Sequence, residues 1–106
     1  IVMLEVTKDN FEQEVKQAEG YVLVDFWGPT CEPCKALMPH IHAMEEEFTN
    51  VKFTSFDISK GRRLAIGEKV MGLPVIAIYK DGSQVDSRVK EDATKESVRE
   101  MLEKYN

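Results

Sequence analysis

Apolar residues recur along the chain with two periods, and each switch between them marks a change of element. Val2, Leu4 and Val6 alternate with Met3 and Glu5, which predicts a short strand with one well-buried face. Phe11, Val15 and Ala18 then form a helical stripe. Thr7 or Asp9 can cap it, Asp9 and Glu12 have capping-box spacing, and Gly20 ends it. Tyr21-Val22-Leu23-Val24-Asp25-Phe26-Trp27 is almost unbroken in its hydrophobicity, as expected of a strand covered on both faces. Asp25 interrupts that run on the face of Leu23 and Trp27, so a central strand would bury its carboxylate.

Gly28-Pro29 stops the strand. From about Cys31 to Phe48 the residues Cys34, Leu37, Ile41, Met44 and Phe48 recur at helical spacing, with His42, Glu45 and Glu46 on the solvated side. Pro39 falls inside this helix and should kink it. Val51 to Phe56 reads as a strand, Leu64 to Val70 as a short helix, and Val75 to Tyr79 as a strand after Gly72-Leu73-Pro74. Asp81-Gly82 signals a hairpin into an edge strand carrying Val85, Ser87 and Val89. A last helix is capped by Thr94 and buries Val98, Met101, Leu102 and Tyr105. Alternating strands and helices followed by a hairpin predict an α/β protein, a mixed sheet of about five strands with four helices on both faces. Functional sites in such sheets gather where a strand hands over to a helix, which is where Cys31 and Cys34 fall.

Composition narrows the function. The chain has 106 residues, enough for a single domain over residues 1–106 that folds without a metal or a structural staple. Fourteen basic against nineteen acidic residues give a net charge of -5, which argues against nucleic acid or anionic lipid as the main partner. The basic cluster Lys60, Arg62 and Arg63 is too small to reverse that balance. No apolar run reaches the length of a membrane span, and Ile1 to Leu4 followed by Glu5 lacks the pattern of a signal peptide. The expectation is a monomer in a reducing cytoplasm.

The only two cysteines are separated by two residues. At the start of a helix their sulfurs lie one turn apart, close enough to form and break a disulfide. The helix dipole favours the thiolate at Cys31, while burial of Cys34 holds it back as a first nucleophile. Cys31 could then attack a substrate disulfide and Cys34 resolve the mixed disulfide. Two other readings compete: cysteines used for packing, or a zinc site completed by His40 and His42. Residues two apart on a helix point away from each other, so the histidines converge poorly on one ion, and no metal is expected. Asp25 is either a proton acceptor for a nearby thiol or a carboxylate satisfied by backbone or water. Trp27 is either core or a lid over the cysteines, and its strand position favours core.

Val24-Asp25-Phe26-Trp27, Pro29, Cys31-Glu32-Pro33-Cys34-Lys35, Pro39, Phe56-Asp57, Gly72-Leu73-Pro74 and Tyr79-Lys80-Asp81-Gly82 together resemble the thioredoxins, in order and spacing and over essentially the whole chain. That resemblance implies a thioredoxin fold and a general protein-disulfide reductase. Cys31 would attack, Cys34 resolve, and Asp25 accept a proton from Cys34. Pro74 would be cis, the backbone of Leu73 would pair with an extended substrate segment, and Trp27, Glu32, Pro33 and Gly72 would border the docking surface. Thioredoxin reductase would restore the dithiol with NADPH or another donor held by that enzyme, so no cofactor is expected on this chain. An isomerase or oxidant of the same fold, or a binding module without turnover, are the alternative functions.

Several positions depart from the family pattern, among them Thr30, where an aromatic residue often precedes the first cysteine. Glu32 replaces the usual glycine between the cysteines, and its field opposes ionisation of Cys31. Phe53 stands where a lysine often accompanies the buried aspartate, and Lys90-Glu91-Asp92 occupies the place of a glycine before the last helix. A strongly reducing couple is expected, near the about -270 mV that is a reference value for thioredoxin itself. Cys-Glu-Pro-Cys is similar to thioredoxins of amino-acid-fermenting anaerobes, which points to reductive enzymes of an anaerobe among the disulfide-containing protein substrates.

Overall fold

A computed structural model describes residues 3–106; Val2, expected in the first strand, lies outside the described residues. The strands are β1 (Leu4–Val6), β2 (Tyr21–Trp27), β3 (Val51–Asp57), β4 (Val75–Lys80) and β5 (Ser83–Val89). Helices α1 (Glu32–Met44), α2 (Arg62–Gly67) and α3 (Lys95–Glu103) join a helical turn over Glu12–Lys16, and 3-10 turns cover Ile58–Lys60 and Lys90–Asp92. The five strands lie in the order β1-β3-β2-β4-β5. β1, β3 and β2 run parallel, β4 is antiparallel to β2, and β5 is antiparallel to β4. This is the mixed sheet with four helices on its two faces that the alternating pattern predicts, and it is the thioredoxin fold.

Strand β2 is central, and its period of two divides the core. Val22, Val24 and Phe26 point to the side of Phe11, Val15, Phe56, Ala65 and Tyr79. Leu23 points to the side of Leu37, Ile41, Val98, Met101 and Leu102, where α1 and α3 pack. Asp25 shares the Leu23 face by strand alternation. On the other face Phe11 meets Phe56 and Tyr79 edge-on, at 5.7 and 5.8 Å between ring centres. Burying each such ring contributes about 2–3 kcal/mol, so this face holds β2 and β4 firmly beneath the site.

Several local expectations shift. Met3 is buried while Leu4 is 42% exposed, because only the Val6 end of that face is covered at the sheet edge. The first helix is confined to Glu12–Lys16 with an i to i+5 bond from the Gln17 amide to Glu12 O, and Gly20 turns the chain into β2 with φ +75°. Asp9 and Glu12 form no capping box; in the turn before the helix Asn10 Oδ1 accepts from the Thr7 amide and Thr7 Oγ1 from the Asp9 amide, and the N-cap position itself, Phe11, has no side-chain cap. α2 begins two residues before the expected Leu64 and stops at Gly67, after which Lys69 takes φ +64°. Asp81 and Gly82, at φ +54° and +83°, form the hairpin turn that their sequence announces.

Candidate active site

The site is built by the end of β2, the start of α1 and the loop before β4. Trp27 ends β2, Gly28-Pro29-Thr30 turns the chain, and Cys31 is the N-cap of α1. Cys31 is extended at φ -90° and ψ 101°; its carbonyl accepts from the Lys35 amide and its Sγ from the Cys34 amide, both at 3.2 Å. Pro33 at the helix start needs no donor there. Cys31 and Cys34 are joined as a disulfide with Cα atoms 5.3 Å apart. Cys34 is 1% exposed whereas Cys31 is half-buried, so only the first sulfur faces the surface.

Glu32 lies in the first turn with its side chain 82% exposed, and its carboxylate pairs with Lys35 at 3.3 Å. The lysine offsets part of the field that Glu32 would otherwise exert on Cys31. His40 borders a groove against α3, and His42 borders one beside Trp27. Among the described residues no cluster of three or more metal-ligating groups stands together.

Asp25 is 1% exposed, between Ser55 of β3 and Ile76 of β4 in the sheet register. Its Oδ2 is buried and has no hydrogen-bond partner among the described residues. Burial raises its pKa from 3.8 to about 7, since the charged form loses water and gains no compensating partner. Phe53, which is 2% exposed, packs into the core where a cation would have relieved that charge. Trp27 is only half-buried and lines a groove with Met38, His42 and Ser55, and its indole nitrogen is buried without a partner. Of the two readings of Trp27, core or lid, a half-buried ring at the last residue of β2 fits plain core less well.

Leu73 and Pro74 are joined by a cis peptide bond. A β-carbon at Gly28 would meet Leu73 Cδ1 at 3.2 Å, so the turn before the cysteines and the loop before β4 touch. Pro33, Gly72, Leu73 and Pro74 wall a groove of about 360 Å³ beside the disulfide, completed by Lys90 and Glu91. Glu32 is not on that wall. Lys90 is the residue whose place in the site spacing alone could not reveal. The missing family glycine marked its region, and the structure shows the consequence: Lys90 has φ +53° and donates its amide to Pro74 O at 2.7 Å.

Chemically the arrangement offers an accessible sulfur at a helix start, a second sulfur beneath it, and an unpartnered carboxyl group that shares the sheet face packed by the same helix. Comparison with known proteins agrees. The family profile for thioredoxin matches residues 2–104. A thioredoxin of Acetoanaerobium sticklandii is 60% identical over 104 residues, covering 97% of this chain and 99% of the relative. One from Peptoclostridium acidaminophilum is 45% identical over 98% of this chain and 96% of its own length. A third, from Bacillus subtilis, is 30% identical over 99% of both. A match running nearly end to end, on a fold that carries a redox-type cysteine pair at its sheet-to-helix junction, makes this chain a member of the thioredoxin family.

Proposed function

We propose that the protein is a general protein-disulfide reductase in which Cys31 attacks and Cys34 resolves. Dithiol/disulfide exchange follows from the family; the division of labour is supported by the unequal exposure of the two sulfurs, the one observation that carries it. The Cys31 thiolate attacks one sulfur of a substrate disulfide, forming a mixed disulfide and releasing a substrate thiolate. Cys34 then gives its proton to Asp25 and attacks the Cys31 sulfur, which releases the second substrate thiolate and leaves the Cys31–Cys34 disulfide. Two electrons pass to the substrate, and its two thiolates take up the proton held by Asp25 and the one lost when the Cys31 thiol ionised. A carboxyl group with a pKa of about 7 is matched to that transfer at neutral pH.

Trp27, Pro33, Gly72, Leu73 and Pro74 form the docking surface in this reading, with Glu32 at its edge and the Leu73 backbone pairing with an extended substrate segment. Residues 1–106 act as one domain, a reading supported by the family match over residues 2–104. Disulfide-containing proteins are the substrates and a reductase recycles the protein. Thioredoxin reductase is the recycling partner we assign, reductive enzymes of an anaerobe are the targets, and a reducing cytoplasm is the setting. No described helix is long and apolar enough to cross a membrane.

The test is trapping. Cys34→Ser should accumulate mixed disulfides through Cys31, while Cys31→Ser should accumulate none, read by non-reducing electrophoresis and mass spectrometry. Equal trapping by both would refute the assignment. Catalysed precipitation of insulin by dithiothreitol separates a reductase from a binding module, and titration against a reference dithiol separates it from an oxidant.

A further inference from the structure

Two grooves meet at Gly72. One is the docking groove bounded by Lys90 and Glu91, and the other is walled by Ile58, Arg62, Ile66 and Met71, the last two 63% and 78% exposed. Their linings hold two cations and one carboxylate, on a chain whose net charge is -5. The junction of the grooves is therefore locally positive.

Lys90 controls that junction. The left-handed conformation is disfavoured for a residue with a β-carbon, yet Lys90 adopts it at φ +53° and is held there by the hydrogen bond from its amide to Pro74 O. The three atoms nearest to a β-carbon built on Gly72 all belong to the Lys90 side chain, with Cε at 2.4 Å and Nζ at 3.4 Å. Its stem thus lies across the bare α-carbon of Gly72, one residue from Leu73, and carries the ammonium to the edge of the groove. Among the described residues Lys90 makes no ion pair, whereas Lys35, its counterpart near the cysteines, is paired with Glu32.

We propose that Lys90 is a specificity-determining residue: its ammonium pairs with an Asp or Glu side chain on the segment docked along Leu73, so that disulfides in acidic segments are reduced faster than those in basic ones. The inference rests on the reductase reading and names the substrate class of that site. Specificity here is a difference between two exposed ion pairings, so its size is that of a surface salt bridge, about three- to fivefold in rate.

The experiment measures kcat/KM of the full chain on three matched disulfide peptides whose flanking residue is Asp, Asn or Lys, at low and high salt. The wild type is expected to rank Asp above Asn above Lys, with the difference in KM and reduced by salt. Lys90→Gln removes the charge and keeps a polar side chain and should level the three rates, and Lys90→Glu should reverse their order. An undiminished preference for Asp in Lys90→Gln, or equal rates in the wild type, would overturn the role of Lys90. Failure of the wild type to reduce even the Asn peptide would instead overturn the reductase reading.

Discussion

Asp25 is a carboxyl group stored where water cannot reach it. Its pKa in the folded protein, about 7, stands above the value near 3.8 of an exposed aspartate. The folded protein therefore keeps a proton that the unfolded chain gives up, and stability contributed at this position falls as pH rises from about 4 to 7. Asp25→Asn is expected to stabilise the protein by as much as about 4 kcal/mol at pH 8 and to have little effect near pH 3, measured by urea denaturation. It should also slow resolution, so that mixed disulfide accumulates. A stability gain that does not vary with pH would show that the carboxyl is not held protonated. The burial of Asp25 is legible in the sequence because it interrupts an apolar strand; its lack of a partner is not, because that depends on Ser55, Ile76 and Phe53 brought in from other strands.

At the scale of elements, α3 shows how far local pattern can reach. Thr94 Oγ1 accepts from the Ser97 amide and Ser97 Oγ from the Thr94 amide, both at 3.0 Å, so the start of the helix is secured by residues within one turn. Removing the cap with Thr94→Ala is expected to cost about 1 kcal/mol and to lower the melting temperature by about 5 °C, read by thermal circular dichroism. A change under a degree would mean that Val98, Met101 and Leu102, all fully buried, hold the helix without its cap. The turn at Glu12–Lys16 is the opposite case. Its apolar stripe runs to Ala18, but the helix stops at Lys16, while Phe11 just before it is fitted among rings from β2, β3 and β4.

The whole molecule ties its far end together through Asp86. Partial burial opposes ionisation there, yet bonds from Lys104, Tyr105, the Ser87 amide and Arg88 outweigh it and bring the pKa down to about 2. Asp86 thus contributes stability above pH 4 that is lost as pH falls toward 2, while Asp25 withdraws stability as pH rises from 4 to 7. Between them these groups place the maximum of thermal stability at about pH 4–5. Melting temperatures of the oxidised protein across pH 2–8 should trace that maximum, and the alkaline side should flatten in Asp25→Asn. A curve still rising to pH 7 would contradict the assignment of Asp25, and one flat from pH 2 to 4 that of Asp86.

Order and type of the elements were determined by the sequence, because periods of two and of 3.6 are properties of neighbouring residues; helix ends were not, and the helix expected to reach Phe48 stops at Met44. So was the chemistry of the cysteine pair, since two intervening residues on a helix bring the sulfurs together without help from elsewhere. Only the tertiary structure decided what faces that pair. The contact of Gly28 with Leu73, the Lys90 stem over Gly72 and the half-open ring of Trp27 all join segments remote in the chain, and their meeting depends on strand order and register. Those are settled by burial of the two sheet faces as a whole, which no local stretch of residues contains.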